Sequence, residues 1–327
     1  MIKFFRQSYA VQYVVIALMA IALWIPAFIW GKATLGMEEP VTPLYNLMAR
    51  LLGSSTILQH VVAFVLLVLG ALLFNAIMVK NQIVGKVSTM GLFLYILMMS
   101  LTGTQANFFP FAMSSLFILL VISNLFDVYQ IPNPELNLLN VGIMIALASM
   151  CYFHAIWLLV WVVIVLPMAK KGSIRLQLIP IVGCFFVYFI YFVCVYLFGD
   201  FKTLMHGYLD YFTSLRFSVE GFNLKNILLL SGLILSTALM FFGSNNSNFE
   251  KAIAVRVKIS MTLILSVFAI LFLFLGGNVL MNGLIFIVLS IFVSYAFSYM
   301  GNTGWANLFL TLFLALVFAN LYYFKLL

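Results

Sequence analysis

The stretch Asn137–Ala169, NLLNVGIMIALASMCYFHAIWLLVWVVIVLPMA, decides how this chain folds. It contains no Asp, Glu, Lys or Arg. As one helix it would reach about 50 Å, well past a hydrocarbon core of ~30 Å. It is either one long tilted helix or two short half-spans, 137–151 and 154–169, that turn back at Cys151-Tyr152-Phe153-His154. The choice sets the side on which every later loop emerges.

Lysine and arginine counts separate the two readings, because cytoplasmic loops collect positive charge. With a hairpin, one side receives Lys3, Arg6, Lys80, Lys86, Lys170, Lys171, Arg175, Lys251, Arg256 and Lys258, ten in all. The other receives Lys32, Arg50, Lys202, Arg216, Lys225 and Lys325, six in all. Without the hairpin the division is eight to eight. The asymmetry favours the hairpin and a cytoplasmic N-terminus. Half-spans meeting at a turn inside a bilayer must be surrounded by protein or line a water-filled cavity.

Composition supports this setting. The 327 residues are 65% hydrophobic and 7% charged, where a soluble domain has ~25% charged residues. Apolar runs recur at 9–30, 57–79, 87–102, 108–128, 137–151, 154–169, 176–198, 226–243, 259–276, 280–298 and 304–324. They are continuous rather than alternating, which excludes a membrane barrel. The expected fold is therefore an all-α polytopic membrane protein, one membrane domain over 1–327, with about 11 transmembrane helices. The first run follows Lys3 and Arg6 with no small-residue cleavage site after it, so it reads as an uncleaved span. The net charge of +8 is scattered at span ends and implies no nucleic-acid partner. Cys151, Cys184 and Cys194 show no paired spacing and read as small apolar residues.

The two long polar connections, Gly31–Thr56 and Gly199–Asn226, emerge opposite the basic side. They hold Glu38, Glu39, Asp200, Asp210 and Glu220, five of the chain's eight acids. His60, His154 and His206 fall on the same side. Pro43 can begin a surface helix in which Leu44, Leu47, Met48, Leu51 and Leu52 form an apolar stripe beside Asn46 and Arg50. In the second connection Leu204, Tyr208, Phe212 and Leu215 form one stripe, and Thr203, His206, Asp210 and Thr213 the opposite one. Two outer-face amphipathic helices are expected.

Several groups could carry chemistry. Glu38-Glu39 can hold a divalent cation, Mg or Mn, or act as a general base; the plain alternative is a solvated acidic turn. His206 and Asp210, at i and i+4, make an oriented base or half a metal site, or else a solvated helix face. Arg50 and Arg216 can take a lipid phosphate or simply anchor at headgroup level. Tyr152, His154 and His60 are candidate cavity residues. No acidic or basic residue falls deep within a predicted span, which argues against an ion-coupled carrier. No P-loop, zinc-protease or dinucleotide fingerprint is present.

Three features resemble the membrane-embedded GT-C glycosyltransferase superfamily. They are the acidic pair Glu38-Glu39 after the first span, the amphipathic segment Pro43–Leu52, and the half-span pair Gly142–Leu166. The last looks like that family's G-x-x-x-G-L-A stretch, with Ala146 in place of the second glycine and His154 near its end. The run Asn140 to Tyr152 also looks like the N-x-G-x-x-x-x-L-A-S-x-x-Y pattern of a bacterial inner-membrane family that brings no activity with it. The GT-C resemblance implies a polyprenyl-phosphate sugar donor bound from the membrane. It makes Glu38 or Glu39 the catalytic base or metal ligand. The convergence of acids, histidines and surface helices on one side adds His206 with Asp210 to complete the cavity. A different expectation is a non-catalytic integral-membrane subunit or scaffold of a cell-envelope complex in a bacterial inner membrane.

Overall fold

The structure, a computed structural model, describes residues 2–30, 41–53, 55–84, 88–100, 110–199, 201–214, 232, 253–276, 282–299, 303–319 and 322. Glu38, Glu39, Arg216 and all of the expected span 226–243 except residue 232 lie outside the described residues. Among those described, every regular element is helical. A short α1 (Ile2–Phe5) precedes α2 (Ala10–Trp30), the surface helix α3 (Pro43–Leu52) and α4 (Thr56–Lys80). Next come α5 (Met90–Met99), α6 (Pro110–Val128), α7 (Glu135–Cys151), α8 (Leu158–Val165) and α9 (Ile174–Phe198). A second surface helix, α10 (Phe201–Ser214), is followed by α11 (Ile253–Gly276), α12 (Asn282–Tyr299) and α13 (Thr303–Ala319). Four described helices are long and apolar enough to cross a bilayer, and six further apolar stretches are shorter.

The decisive stretch is a hairpin. α7 stops at Cys151, and Tyr152 leaves helical geometry at φ −144° and ψ 101°. A tight turn over Phe153–Trp157 then leads into α8, and a second over Leu166–Ala169 ends at left-handed Lys170. The chain returns to its starting level. Lys171 Nζ donates to the carbonyl of Pro132 at 2.9 Å, and Arg175 pairs with Glu135 at 3.0 Å. A straight rod would hold Pro132 and Lys171 about 58 Å apart. The broken end is satisfied internally, as an apolar setting demands. The Ala148 carbonyl accepts from the backbone of Tyr152 at 2.8 Å and from Ser114 Oγ of α6 at 3.1 Å.

The return places α9 beside α7. Gly142 and Gly183 let the two main chains approach, and a Cβ on Gly142 would lie 2.1 Å from the Pro180 carbonyl oxygen. The centre of the bundle is α5 and α12. Met90–Met98 of α5 and nearly all of Leu284–Phe297 of α12 are buried. Helices apolar on every side belong inside a bundle or a membrane. The periphery is apolar as well: α2, α4, α9 and α13 expose Leu18, Leu69, Phe185, Phe189 and Leu312 among many others. Such a belt suits hydrocarbon rather than water.

The hairpin sorts the charges by end. Of the ten described Lys and Arg residues, eight (Lys3, Arg6, Lys80, Lys170, Lys171, Arg175, Arg256 and Lys258) lie toward the end that holds the N-terminus. That end is tied together by Arg6 Nη2 donating to the Phe297 carbonyl at 2.7 Å and by the Lys80–Asp127 pair at 2.7 Å. Arg50 of α3 and Lys202 of α10 mark the opposite end.

One expectation needs correcting. α11 begins at Ile253, earlier than the predicted span, and so carries a buried cation. Lys258 is 1% exposed and donates to Asn81 Oδ1 at 2.8 Å. In α3 the side chains packed deepest into the bundle lie beside the apolar stripe rather than in it. Tyr45 and Ala49 are buried, whereas Leu47 and Leu51 are 54% and 74% exposed. Leu44, Met48 and Leu52 pack inward at the edges.

Candidate functional site

The hairpin tip, opposite the basic end, is where the two polar connections meet. Val41 and Leu44 of the first connection join Phe153 of the tip and Leu204 and Tyr208 of α10 in one apolar cluster. α10 follows its predicted faces where its side chains are described. Leu204 and Tyr208 are buried, Tyr211 is half-buried, and Thr203, His206, Asp210 and Thr213 are exposed. The i, i+4, i+7 spacing of Leu204, Tyr208 and Tyr211 lays one helix face on the tip.

Aromatic rings line this junction. Tyr152 stacks on His154 at 5.0 Å between centroids and 28°. Tyr211 meets His154 edge-on at 5.0 Å and Phe153 at 4.5 Å, and Phe111 of α6 meets Tyr152 edge-on at 6.0 Å. His154 Nδ1 is buried with no hydrogen-bond partner among the described residues, and so is the Tyr208 hydroxyl. Burial raises the Tyr208 pKa, so the phenol stays protonated. One helical turn down α7, Ser149 Oγ and the Tyr188 hydroxyl share a hydrogen bond of 2.7 Å. A cavity of about 10 Å³ lies between Phe111, Tyr152, His154, Leu158 and Leu284, the size of a single water.

The predicted site residues separate into distinct places. Tyr152 and His154 come together at the tip. His60 does not join them: it is 2% exposed on α4, with the Phe28 ring of α2 5.6 Å away. His206 and Asp210 lie on the exposed face of α10, turned from the side that packs on the tip. Arg50 is exposed on α3. Glu38, Glu39 and Arg216, outside the described residues, add no geometry. Among the described residues no group of three His, Cys, Asp or Glu side chains is placed to hold a metal ion.

Sequence reasoning passed over Gln59, Trp24 and Lys258. Gln59-His60 had a signal, two adjacent polar residues at the head of an apolar span. Lys258 had one in its distance from Pro and Gly, which leaves the helix free to start before it. Tyr211 had none, because its role depends on the tip beneath it. No family model, curated protein or solved structure matches this sequence.

Proposed function

We propose that this chain is a GT-C-like membrane transferase acting on a lipid-linked, polyprenyl-phosphate sugar. One observation carries the reading: both polar connections pack on the hairpin tip at the end poor in Lys and Arg. That convergence is what a site shared between a membrane-borne donor and a water-borne acceptor requires. Glu38 or Glu39 activates the acceptor or holds Mg or Mn, and Arg50 or Arg216 takes the lipid phosphate. His154 and Tyr152 form the floor. By the positive-inside rule the basic end, with the N-terminus, faces the cytoplasm of a bacterial inner membrane, and the tip faces outward. Purified protein incubated with polyprenyl-phosphate sugars should transfer the sugar, and Glu38→Gln or Glu39→Gln should lose at least ~100-fold, the scale of a general base. Equal inertness of wild type and both variants overturns the reading.

A specific observation favours a second reading, a non-catalytic membrane subunit of an envelope complex. The tip cavity has room for one water and is walled mainly by apolar and aromatic groups. A fold can keep its architecture without chemistry. Purification in mild detergent would then bring down a stoichiometric partner, and a single species with transfer activity would reject this alternative.

A further inference from the structure

A second polar cluster lies away from the tip, at the same end of the bundle. Trp24 and Phe28 on α2 face Phe64 and His60 on the antiparallel α4. Their ring centroids are 5.5 Å apart for Trp24–Phe64 and 5.6 Å for Phe28–His60. These are successive rungs of one interface, with Tyr45 and Ala49 of α3 packed against Trp24 and Ala63. Gln59, His60 and Trp24 are 1%, 2% and 3% exposed. Gln59 Nε2 donates to the Gly53 carbonyl at 2.9 Å. Gln59 Oε1, both nitrogens of His60 and Nε1 of Trp24 have no partner among the described residues.

Buried polar atoms are ordinarily hydrogen-bonded, and four orphans around one interface mark a place that something else completes. Their chemistry describes the occupant. Trp24 offers a donor, Gln59 an acceptor, and His60 two ring nitrogens of which at least one donates. The set holds both donors and acceptors. A group carrying both signs is matched at each pole. The Phe28 ring adds a face for a cation. The neighbouring surface is apolar: Leu51 on α3 and Ile57, Leu58 and Val61 on α4 are exposed. His60 lies about one helical turn below the start of α4, near headgroup depth.

We propose that Gln59, His60 and Trp24 bind the headgroup of a zwitterionic phospholipid with a primary ammonium, taken from the surrounding bilayer. The donors meet its phosphate, the acceptors and the aromatic ring meet its ammonium, and its acyl chains lie over the exposed leucine and isoleucine surface. The inference stands apart from the transferase reading, because His60 and His154 lie in different clusters.

The test is native mass spectrometry of the full chain in detergent, titrated with dioleoylphosphatidylethanolamine or dioleoylphosphatidylglycerol at equal concentration. Wild type should retain the first ethanolamine lipid with about fivefold preference. The Gln59→Leu/His60→Leu double variant should show less than about twofold. Without lipid the variant sheds three of the four orphaned atoms and also the Gln59–Gly53 bond, so its midpoint should stay close to that of wild type. Added ethanolamine lipid should raise the wild-type midpoint only. The single His60→Phe variant repeats the comparison should the double variant not fold. Wild type without preference, a variant that keeps it, or a density map with water alone against His60 overturns the proposal.

Discussion

Gly142→Ala tests the hairpin through the helix pair it creates. A Cβ at 142 would lie 2.1, 2.8 and 2.9 Å from the O, C and Cα atoms of Pro180, all main chain. Carbon and oxygen need more than 3 Å, so α9 must retreat by about 1 Å along an interface that includes Gly183, itself 2.7 Å from the Leu139 carbonyl by the same construction. Overpacking of a tight core costs about 1–3 kcal/mol, and main chain yields less readily than a side chain, so the upper end applies. Alanine returns about 1 kcal/mol through helix propensity. The net is a destabilisation of about 2 kcal/mol, or a fall of roughly 3 °C in the midpoint of a 327-residue chain. Gly91→Ala is the control, because its Cβ would meet only side-chain atoms closely: Asn75 Oδ1 at 3.0 Å and Phe74 at 3.5 Å. Both variants should be melted in detergent, followed by tryptophan fluorescence and loss of a monodisperse elution peak. If Gly142→Ala melts with or above wild type, or Gly91→Ala is the more damaging, α7 and α9 are not apposed through Gly142.

Further outcomes follow from the same packing. With the native cysteines replaced, Glu135→Cys and Arg175→Cys should join through a short bifunctional maleimide within one chain; a straight 137–169 helix would keep them apart. Asn81→Ala removes the partner of buried Lys258 and should cost about 2 kcal/mol or more, while Lys258→Met in the same background should recover most of it; unchanged melting of Asn81→Ala refutes the assignment. A cysteine at His206 should react with an impermeant maleimide added to spheroplasts, whereas one at Lys171 should react only after lysis; the reverse pattern inverts the orientation. Tyr188→Phe strips the hydroxyl that pairs with Ser149 and should destabilise by about 0.5–1.5 kcal/mol, with Ser149→Ala/Tyr188→Phe no worse than the single change.

The sequence by itself carried the spans and the return of the chain. The described helices Ala10–Trp30, Thr56–Lys80, Pro110–Val128 and Ile174–Phe198 match hydropathy within a few residues, because the cost of placing polar groups in hydrocarbon is a property of the chain alone. The turn at Tyr152 has no Gly or Pro to announce it. It was legible only through the charge balance of distant loops, which depends on the parity of crossings. The faces of α10 were legible too, since one side of that helix meets water and polar residues must go there.

Tertiary structure alone decided which side chains meet. In a bilayer the lipid is as apolar as the protein interior, so hydropathy scarcely fixes the rotation of a helix about its axis. That is why α3 buries Tyr45 and Ala49 while Leu47 and Leu51 stay exposed, and why His60 and His154, alike in sequence as lone histidines at span ends, occupy separate clusters. The rotation is chosen instead by close packing, such as Gly142 against Pro180, and by hydrogen bonds that must close within the protein, such as Ser114 to Ala148. Those partners lie far apart along the chain, and their pairing exists only once the helices stand side by side.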